Sequence, residues 1–184
     1  MRKWLLITLA AVAAVAVVVG GALVFTHHDR GPSTGHGGPG DSEFNIEGPR
    51  PDNADAVTAA QAALSAMLSW TPATDAGPGE GLVRAKPWLT GQLLEAANGT
   101  PATGVRPLPE WAGWKAAGDV VTATVTNARV SGPIQNRECL VLATVTQNVL
   151  HTNSAPTLYK VMTVSVAMTN TANGWRMSTW RLVS

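Results

Sequence analysis

The hydrophobic positions of the chain fall into three successive patterns: a continuous apolar run, a polar stretch, and a region that changes from helical to strand-like periodicity. The run from Trp4 to Phe25 holds about 22 residues without a charge. At about 1.5 Å per residue, such a helix crosses a hydrocarbon core about 30 Å thick. We therefore expect a transmembrane helix over residues 4–25, preceded by a short N-terminal segment, residues 1–3.

A cleaved signal peptide is the alternative for this run, with Gly20-Gly21-Ala22 as its only site-like sequence. Apolar regions of signal peptides are usually shorter, about 7 to 15 residues, which favours an uncleaved anchor. Arg2 and Lys3 precede the run, and positive charge beside a span tends to stay in the cytoplasm. We expect a single-pass cell-membrane protein with a cytoplasmic N-terminus and an extracytoplasmic C-terminal domain. Small residues in the run would let two such helices approach, so a homo-oligomer is a further option.

Residues 26–52 are rich in Gly, Pro, Ser and Asp and offer little to bury, which indicates a flexible linker. At about 27 residues, it would hold the domain roughly 30 Å from the membrane. His27, His28 and His36 lie in it. Fixing them around a metal would cost the conformational entropy of a mobile chain, so we expect no metal site.

The folded domain is expected to span residues 53–184 and to begin with helices. Asp52 or Asn53 is placed to cap a helix from Ala54 to about Trp70. Its apolar residues recur every three or four positions, which gives one buried stripe: Val57, Ala60, Leu64, Met67 and Leu68.

A loop rich in Gly and Pro, residues 71–81, separates this helix from a second helical stretch, residues 87–97. Thr90 is a candidate cap within that stretch, and Asn98-Gly99 is expected to end it in the left-handed conformation. The side chains expected to pack inward are Trp88, Leu89, Leu93 and Ala97.

The pattern then changes to alternating runs rich in Val and Thr, which predict four strands over residues 120–130, 139–150, 158–169 and 175–183. Ser131-Gly132-Pro133 is expected to end the first strand, and Asn173-Gly174 to form the last turn. The third strand should bury one apolar face: Leu158, Met162, Val164, Val166 and Met168. Helices followed by consecutive strands indicate an α+β domain, with helices packed on one face of a curved four-stranded antiparallel sheet.

Composition excludes several functional classes. The 13 Lys and Arg nearly balance the 12 Asp and Glu, whereas nucleic-acid-binding proteins normally carry a basic excess, so we expect no nucleic acid partner. Cys139 is the only cysteine, and it can form neither an internal disulfide nor a redox pair.

A catalytic acid or base inside the domain would have to lie on a strand. The candidates are Glu138, His151 and Tyr159, and all three fall near predicted strand ends rather than in a pocket. We therefore expect no catalytic site, no cofactor and no enzymatic activity.

Tryptophans are the candidate contact residues, because Trp is enriched at the centres of protein interfaces. Trp111 and Trp114 lie just before the first strand and would either pack against the sheet to close one end of the domain, which we favour, or bind a partner. Strict alternation would place Trp175 and Trp180 on opposite faces of the last strand, so one would point away from the core.

Two stretches carry a family resemblance: KPWLTGQLLEAA at residues 86–97 and NGWRMSTWRLVS at residues 173–184. Together with the anchor, the linker and the long Ala-rich helix, they resemble the nuclear-transport-factor-two-like superfamily, which implies that the helices and the curved sheet form a cone-like roll. Within it, the arrangement is similar to the assembly-factor subunits of type IV secretion and conjugation channels. It is also similar to the mammalian-cell-entry-associated membrane proteins of actinobacteria.

The resemblance implies a non-enzymatic scaffold subunit of a bacterial envelope complex, of the conjugation or type IV secretion kind. Its partners would be the membrane and other proteins of that complex. Two alternatives stay open: an accessory subunit of a mammalian-cell-entry-type lipid importer, and a tethered cone that binds a small ligand.

Overall fold

The computed structural model describes residues 49–99, 108–153 and 155–183, all within one unit that spans Phe44–Ser184. Its helices are α1 (Ala56–Leu68), α2 (Gly79–Arg84), a short 3-10 helix (Lys86–Trp88), α3 (Gly91–Asn98) and α4 (Trp111–Ala117). Its strands are β1 (Val120–Gln135), β2 (Glu138–Leu150), β3 (Thr157–Thr171) and β4 (Gly174–Leu182).

The expected anchor at residues 4–25, the linker up to residue 48 and the three linker histidines lie outside the described residues. Within the described ranges, no helix combines the length and the apolar character that a membrane span requires.

The four strands form one antiparallel sheet in the order β1-β2-β3-β4, and the helices precede them, so the predicted α+β class is confirmed. Helix α1 contacts all four strands. Its buried side chains meet those of the sheet in a single apolar core. The most deeply buried side chains of this core include Leu64, Val121, Val141, Val145, Val164, Val166, Met168 and Met177.

Helix α1 begins at Ala56, two residues later than the sequence suggests, because its cap is Asp55 rather than Asp52 or Asn53. The Asp55 carboxylate accepts a 2.7 Å hydrogen bond from the Thr58 N–H, one of the donors that a helix leaves unpaired at its start. The helix ends at Leu68, and Trp70 instead pairs with Val121 of β1 in an isolated antiparallel bridge.

The segment expected to be a loop, residues 71–81, contains the start of α2. Gly81 allows this helix to pack against α1, because a Cβ at this position would lie 2.1 Å from the Met67 carbonyl oxygen. The Asp75 carboxylate fixes the preceding turn by accepting from the Thr71 N–H and from the Arg84 guanidinium, each at 2.8 Å.

The second predicted helical stretch is present as the 3-10 helix and α3. Thr90 lies at the N-terminal cap of α3 but makes no side-chain capping bond. The expected left-handed end at Asn98-Gly99 is wrong, because Gly99 has an extended backbone. Leu89 and Ala97 are buried, and Trp88 and Leu93 pack on the core, as predicted.

Strand β1 continues to Gln135, so the prediction that Ser131-Gly132-Pro133 ends it is wrong. The chain reverses at Asn136 and Arg137, which both have positive φ, as a tight two-residue hairpin turn requires. Gly132 also has positive φ, and β1 slips in register against β2 at two places along its second half.

A β-bulge opposite Gln147 and Asn148 changes which side chains of β3 face the core. Leu158 was expected on the buried face but is 63% exposed. Alternation from Leu158 would place Tyr159 on the opposite, more polar face, yet its ring meets that of Trp114 edge to face at 4.9 Å. The other predicted core residues of β3 are buried: Met162, Val164, Val166 and Met168.

Candidate functional site

A row of aromatic rings closes one end of the domain. The rings follow one another in space in the order Trp70, Trp111, Trp114 and Tyr159. The centroids of neighbouring rings are 6.0, 6.5 and 4.9 Å apart. Trp111 is 7% exposed and Trp114 is 8% exposed, so both belong to the core. This agrees with the structural role predicted for the pair.

Trp175 and Trp180 lie on the same face of β4, so the expectation of opposite faces is wrong. Trp180 pairs with Val166, and Met177 pairs with Met168, so these β4 residues face the core. A bulge at Ser178 separates them and inserts one residue into the alternation. Both tryptophans are half-buried against the core, and the interface role of the four tryptophans stays a prediction.

The opposite face of the sheet, which we call the outer face, is built from cross-strand rows. Four of these rows are Thr124-Thr146-Val161, Thr126-Thr144-Thr163, Arg129-Leu142-Ser165-Arg181 and Ser131-Leu140-Ala167-Thr179. They are flanked by the row Thr122-Asn148-Leu158 at one end and the row Gln135-Glu138-Thr169-Arg176 at the other. Apart from the buried Ser165, these side chains are exposed or half-buried.

Charged residues of the outer face lie around its rim, with Glu138 and Arg176 in the row nearest the β1-β2 turn and two arginines at the lateral edges. Arg129 on β1 and Arg181 on β4 are exposed and stand at opposite ends of one row, with Leu142 and Ser165 between them. The centre consists of hydroxyl groups and aliphatic side chains, including Leu140 and Val161, which is 55% exposed. An apolar centre inside a charged rim is the arrangement found in protein interfaces.

The first half of the β1 edge is closed by α1 rather than left open for another strand. Gln61, Ser65 and Ser69 occur every four residues, so they share one side of the helix. Ser65 donates to the Ala123 carbonyl at 3.0 Å, and Ser69 accepts from the Ala123 N–H at 2.9 Å. The side-chain amide of Gln61 donates to the Val125 carbonyl, two residues further along the same edge, at 3.4 Å. An edge satisfied in this way cannot readily pair with another chain.

Among the described residues, those around Leu89 cover the β4 edge near its start. The Leu89 backbone forms a parallel bridge with Met177, and the Thr90 N–H donates to the Met177 carbonyl at 2.9 Å. Just before this point, Arg176 donates to the Pro51 carbonyl at 2.7 Å, which ties the start of the folded domain to β4.

The three candidate acid or base residues lie at opposite ends of the sheet. Glu138 begins β2 and is exposed, whereas His151 follows the end of β2 and Tyr159 lies near the start of β3. Burial, with a smaller contribution from Glu110, raises the pKa of the Tyr159 hydroxyl. The structure therefore does not bring the three together.

His151 instead contacts Asp119 and Thr157, two residues that no sequence pattern indicates. Its Nδ1 lies 3.1 Å from the Asp119 carboxylate, and its Nε2 is hydrogen-bonded to the Thr157 hydroxyl. No motif marks this group, because its three members are spread over 39 positions. The signal that could have found the Asp119–His151 contact is the register of β1 against β2. Val120 pairs with Leu150, so Asp119, just before Val120, lies beside His151, just after Leu150.

The space between α1 and the sheet is filled by side chains. Ala59, Ala60, Ala63 and Leu64 of α1 have no exposed surface, and neither have the strand residues Val121 and Val145. A ligand between these elements would have to displace packed side chains. Over the residues that the structure describes, no group of three His, Cys, Asp or Glu side chains could hold a metal ion.

The solved structures that are similar to this chain include the following two. One is CagV, a VirB8 homolog of the type IV secretion system (T4SS) from Helicobacter pylori, with 7% identity and a TM-score of 0.43. That match covers 68% of this chain and 94% of CagV. The other is the intermembrane space region of the chloroplast protein ARC6, with 17% identity, a TM-score of 0.37, and 72% and 98% coverage. No family model and no curated protein matches the chain.

Proposed function

We propose that the protein is a non-enzymatic scaffold subunit of a bacterial envelope complex, of the conjugation or type IV secretion kind. Residues 4–25 anchor it in the cell membrane with the N-terminus in the cytoplasm, and the α+β domain stands outside on the linker. The domain holds other proteins of the complex in place.

The outer face of the sheet is the observation that carries this proposal. Its centre presents aliphatic and hydroxyl side chains of β2 and β3, with Leu140 and Val161 exposed. Burying such side chains contributes favourable energy at about 25 cal/mol per Å² of apolar surface, and no charge there would lose its hydration. The flanking Arg129 and Arg181 favour a partner surface that has an apolar centre and carboxylates at its margins.

The filled space between α1 and the sheet supports a scaffold over a tethered ligand-binding cone. Small-ligand sites are concave and largely formed before the ligand arrives. Here that volume is occupied by the α1 alanines and by Leu64, all without exposed surface.

In-cell photocrosslinking tests the proposal. A photoreactive amino acid replaces Leu140 or Val161 on the outer face of the tagged full-length protein. The matched control position is Gln92, which is exposed on α3. After detergent extraction, affinity capture and mass spectrometry, we expect both outer-face positions to capture subunits of a transfer channel and Gln92 to capture none.

Three outcomes would contradict this assignment. Recovery of an importer permease would move the protein to lipid uptake. A small molecule retained in the purified protein, without captured subunits, would make the cone the functional site. Equal capture at all three positions would show that the outer face is not a specific interface.

A further inference from the structure

An Asp-His-Thr array lies at the end of the domain that holds the aromatic row. The His151 Nδ1 is 3.1 Å from the Asp119 Oδ2, and the His151 Nε2 is hydrogen-bonded to the Thr157 Oγ1. Asp119 is buried, at 5% exposed, while His151 is half-buried and Thr157 is exposed. The array thus runs from a buried carboxylate through an imidazole to an accessible hydroxyl.

The surrounding backbone positions each member. Gly118 ends α4 in the left-handed conformation, and the Asp119 N–H then donates to the Trp114 carbonyl at 2.9 Å. Val120 pairs with Leu150, so the following residue, His151, emerges beside Asp119. The loop after His151 is held to α4 by the Thr152 hydroxyl, which donates to the Ala117 carbonyl at 3.1 Å.

The hydrogen bonds define the role of each group. A carboxylate accepts but does not donate, so Asp119 fixes the tautomer in which the proton of His151 is on Nδ1. Nε2 then carries the free lone pair, and the Thr157 O–H donates to it. A hydroxyl beside a base that a third group orients is the recurring arrangement of an activated nucleophile.

We propose that Thr157 is a site of covalent acylation, modified by activated esters and activated by His151, which Asp119 orients. The Thr157 oxygen forms a bond to the acyl carbon, and its proton passes to the His151 Nε2. The bond between the acyl carbon and the leaving oxygen then breaks, and His151 returns the proton to that oxygen. The products are an ester of Thr157 and a free alcohol. This site is separate from the outer face and does not depend on the scaffold role.

The test uses the detergent-solubilised full-length protein with p-nitrophenyl acetate as the probe. Mass spectrometry follows the acetylation of the peptide that contains Thr157. The internal reference is Thr179, an exposed strand hydroxyl on the outer face. We expect Thr157 to be acetylated at least about tenfold faster than Thr179, since a positioned base contributes about 100-fold or more in enzymes.

Variants separate activation from mere exposure. His151→Asn and Asp119→Asn should lower the rate at Thr157 and leave Thr179 unchanged, whereas Thr157→Ser should retain acetylation. Circular dichroism verifies that each variant is folded. If Asp119→Asn unfolds, the wild-type protein is instead acetylated in urea. The difference in acetylation rate between Thr157 and Thr179 should disappear under that condition. Equal rates at the two threonines, or an unchanged rate in His151→Asn, would leave only a structural hydrogen bond and overturn the proposal.

Discussion

The side-chain amide of Gln147, on β2, donates a 2.8 Å hydrogen bond to the carbonyl of Leu68, the last residue of α1. Gln147 is 1% exposed and lies on the face of the sheet that bears the core. Helices leave their last carbonyls without intrahelical partners, and a buried one needs a donor from elsewhere. Gln147 therefore supplies the donor for the last carbonyl of the helix that packs on the sheet.

Replacing Gln147 with Met should destabilise the domain, because the Leu68 carbonyl would lose its donor while the volume stays similar. The expected loss in the free energy of unfolding is about 1–3 kcal/mol, measured by urea denaturation. The control is Gln135→Met, at an exposed position at the end of β1. Equal stability of the two variants would show that the hydrogen bond contributes nothing.

Asp55 should make the stability depend on pH at the acidic end. The hydrogen bond from the Thr58 N–H, partly opposed by desolvation, lowers the pKa of the Asp55 carboxyl in the folded state. Its stabilisation is thus complete above the ordinary aspartate pKa and is lost as the pH falls through the lower, folded-state value.

Asp55→Ala should lower the free energy of unfolding by about 1 kcal/mol at neutral pH. Asp55→Asn keeps an acceptor without a charge, so the advantage of the wild type over this variant should shrink as the pH falls below about 4. Denaturation curves at several pH values test this expectation. A difference that does not change with pH would contradict it.

Gly81 and Gly79 form a matched pair within α2. A Cβ at position 81 would lie 2.1 Å from the Met67 carbonyl oxygen, whereas one at position 79 would have nothing within 4 Å. Gly81→Ala should separate α1 from α2 and cost about 1–3 kcal/mol. Gly79→Ala should be neutral or stabilising by up to about 1 kcal/mol, since Ala favours helices. Thermal unfolding of both variants would reveal the difference, and equal melting temperatures would contradict it.

Cys139 should be almost unreactive in the folded protein. Its side chain is buried on β2, and burial raises the pKa of its thiol, which reduces the thiolate that reacts. Labelling with an aromatic disulfide at pH 8 should be slow in buffer and fast in denaturant. The control is Leu140→Cys in a Cys139→Ala background, which places a thiol at the exposed neighbouring position. Fast native labelling of Cys139 would show that this part of the sheet opens.

Charge reversal at Arg181 should weaken partner capture through the outer face. Arg181→Glu places a negative charge where we propose that the partner carries a carboxylate, and like charges at an interface repel. Crosslinking from position 161 should fall several-fold. The control is Arg137→Glu, in the β1-β2 turn and outside the outer face. If both variants weaken capture equally, the cause is the change in net charge and not a contact of Arg181 with the partner.

Local patterns determined the order and type of most elements. The three-to-four-residue spacing of apolar side chains specified α1, and the alternation of Val and Thr specified four strands. Consecutive strands with short connections favour antiparallel neighbours, which gave the α+β class. Trp111 and Trp114 could also be assigned to the core, because large aromatic side chains gain most from burial.

Tertiary structure decided which side chains meet, and the reason is the β-bulges. Each inserted residue reverses the alternation beyond it. The bulge in β4 therefore puts Trp175 and Trp180 on one face, and the bulge in β3 exposes Leu158.

The Asp119–His151 pair depends on the long-range register of β1 against β2, and the bond from Gln147 to Leu68 depends on how α1 packs on β2. A hairpin extended without bulges from the Asn136-Arg137 turn would not place Asp119 beside His151, because β1 slips against β2 twice. Periodicity is a property of neighbouring residues, and it predicts elements and buried faces. The slips are set by packing between distant segments, so only the folded chain determines these contacts.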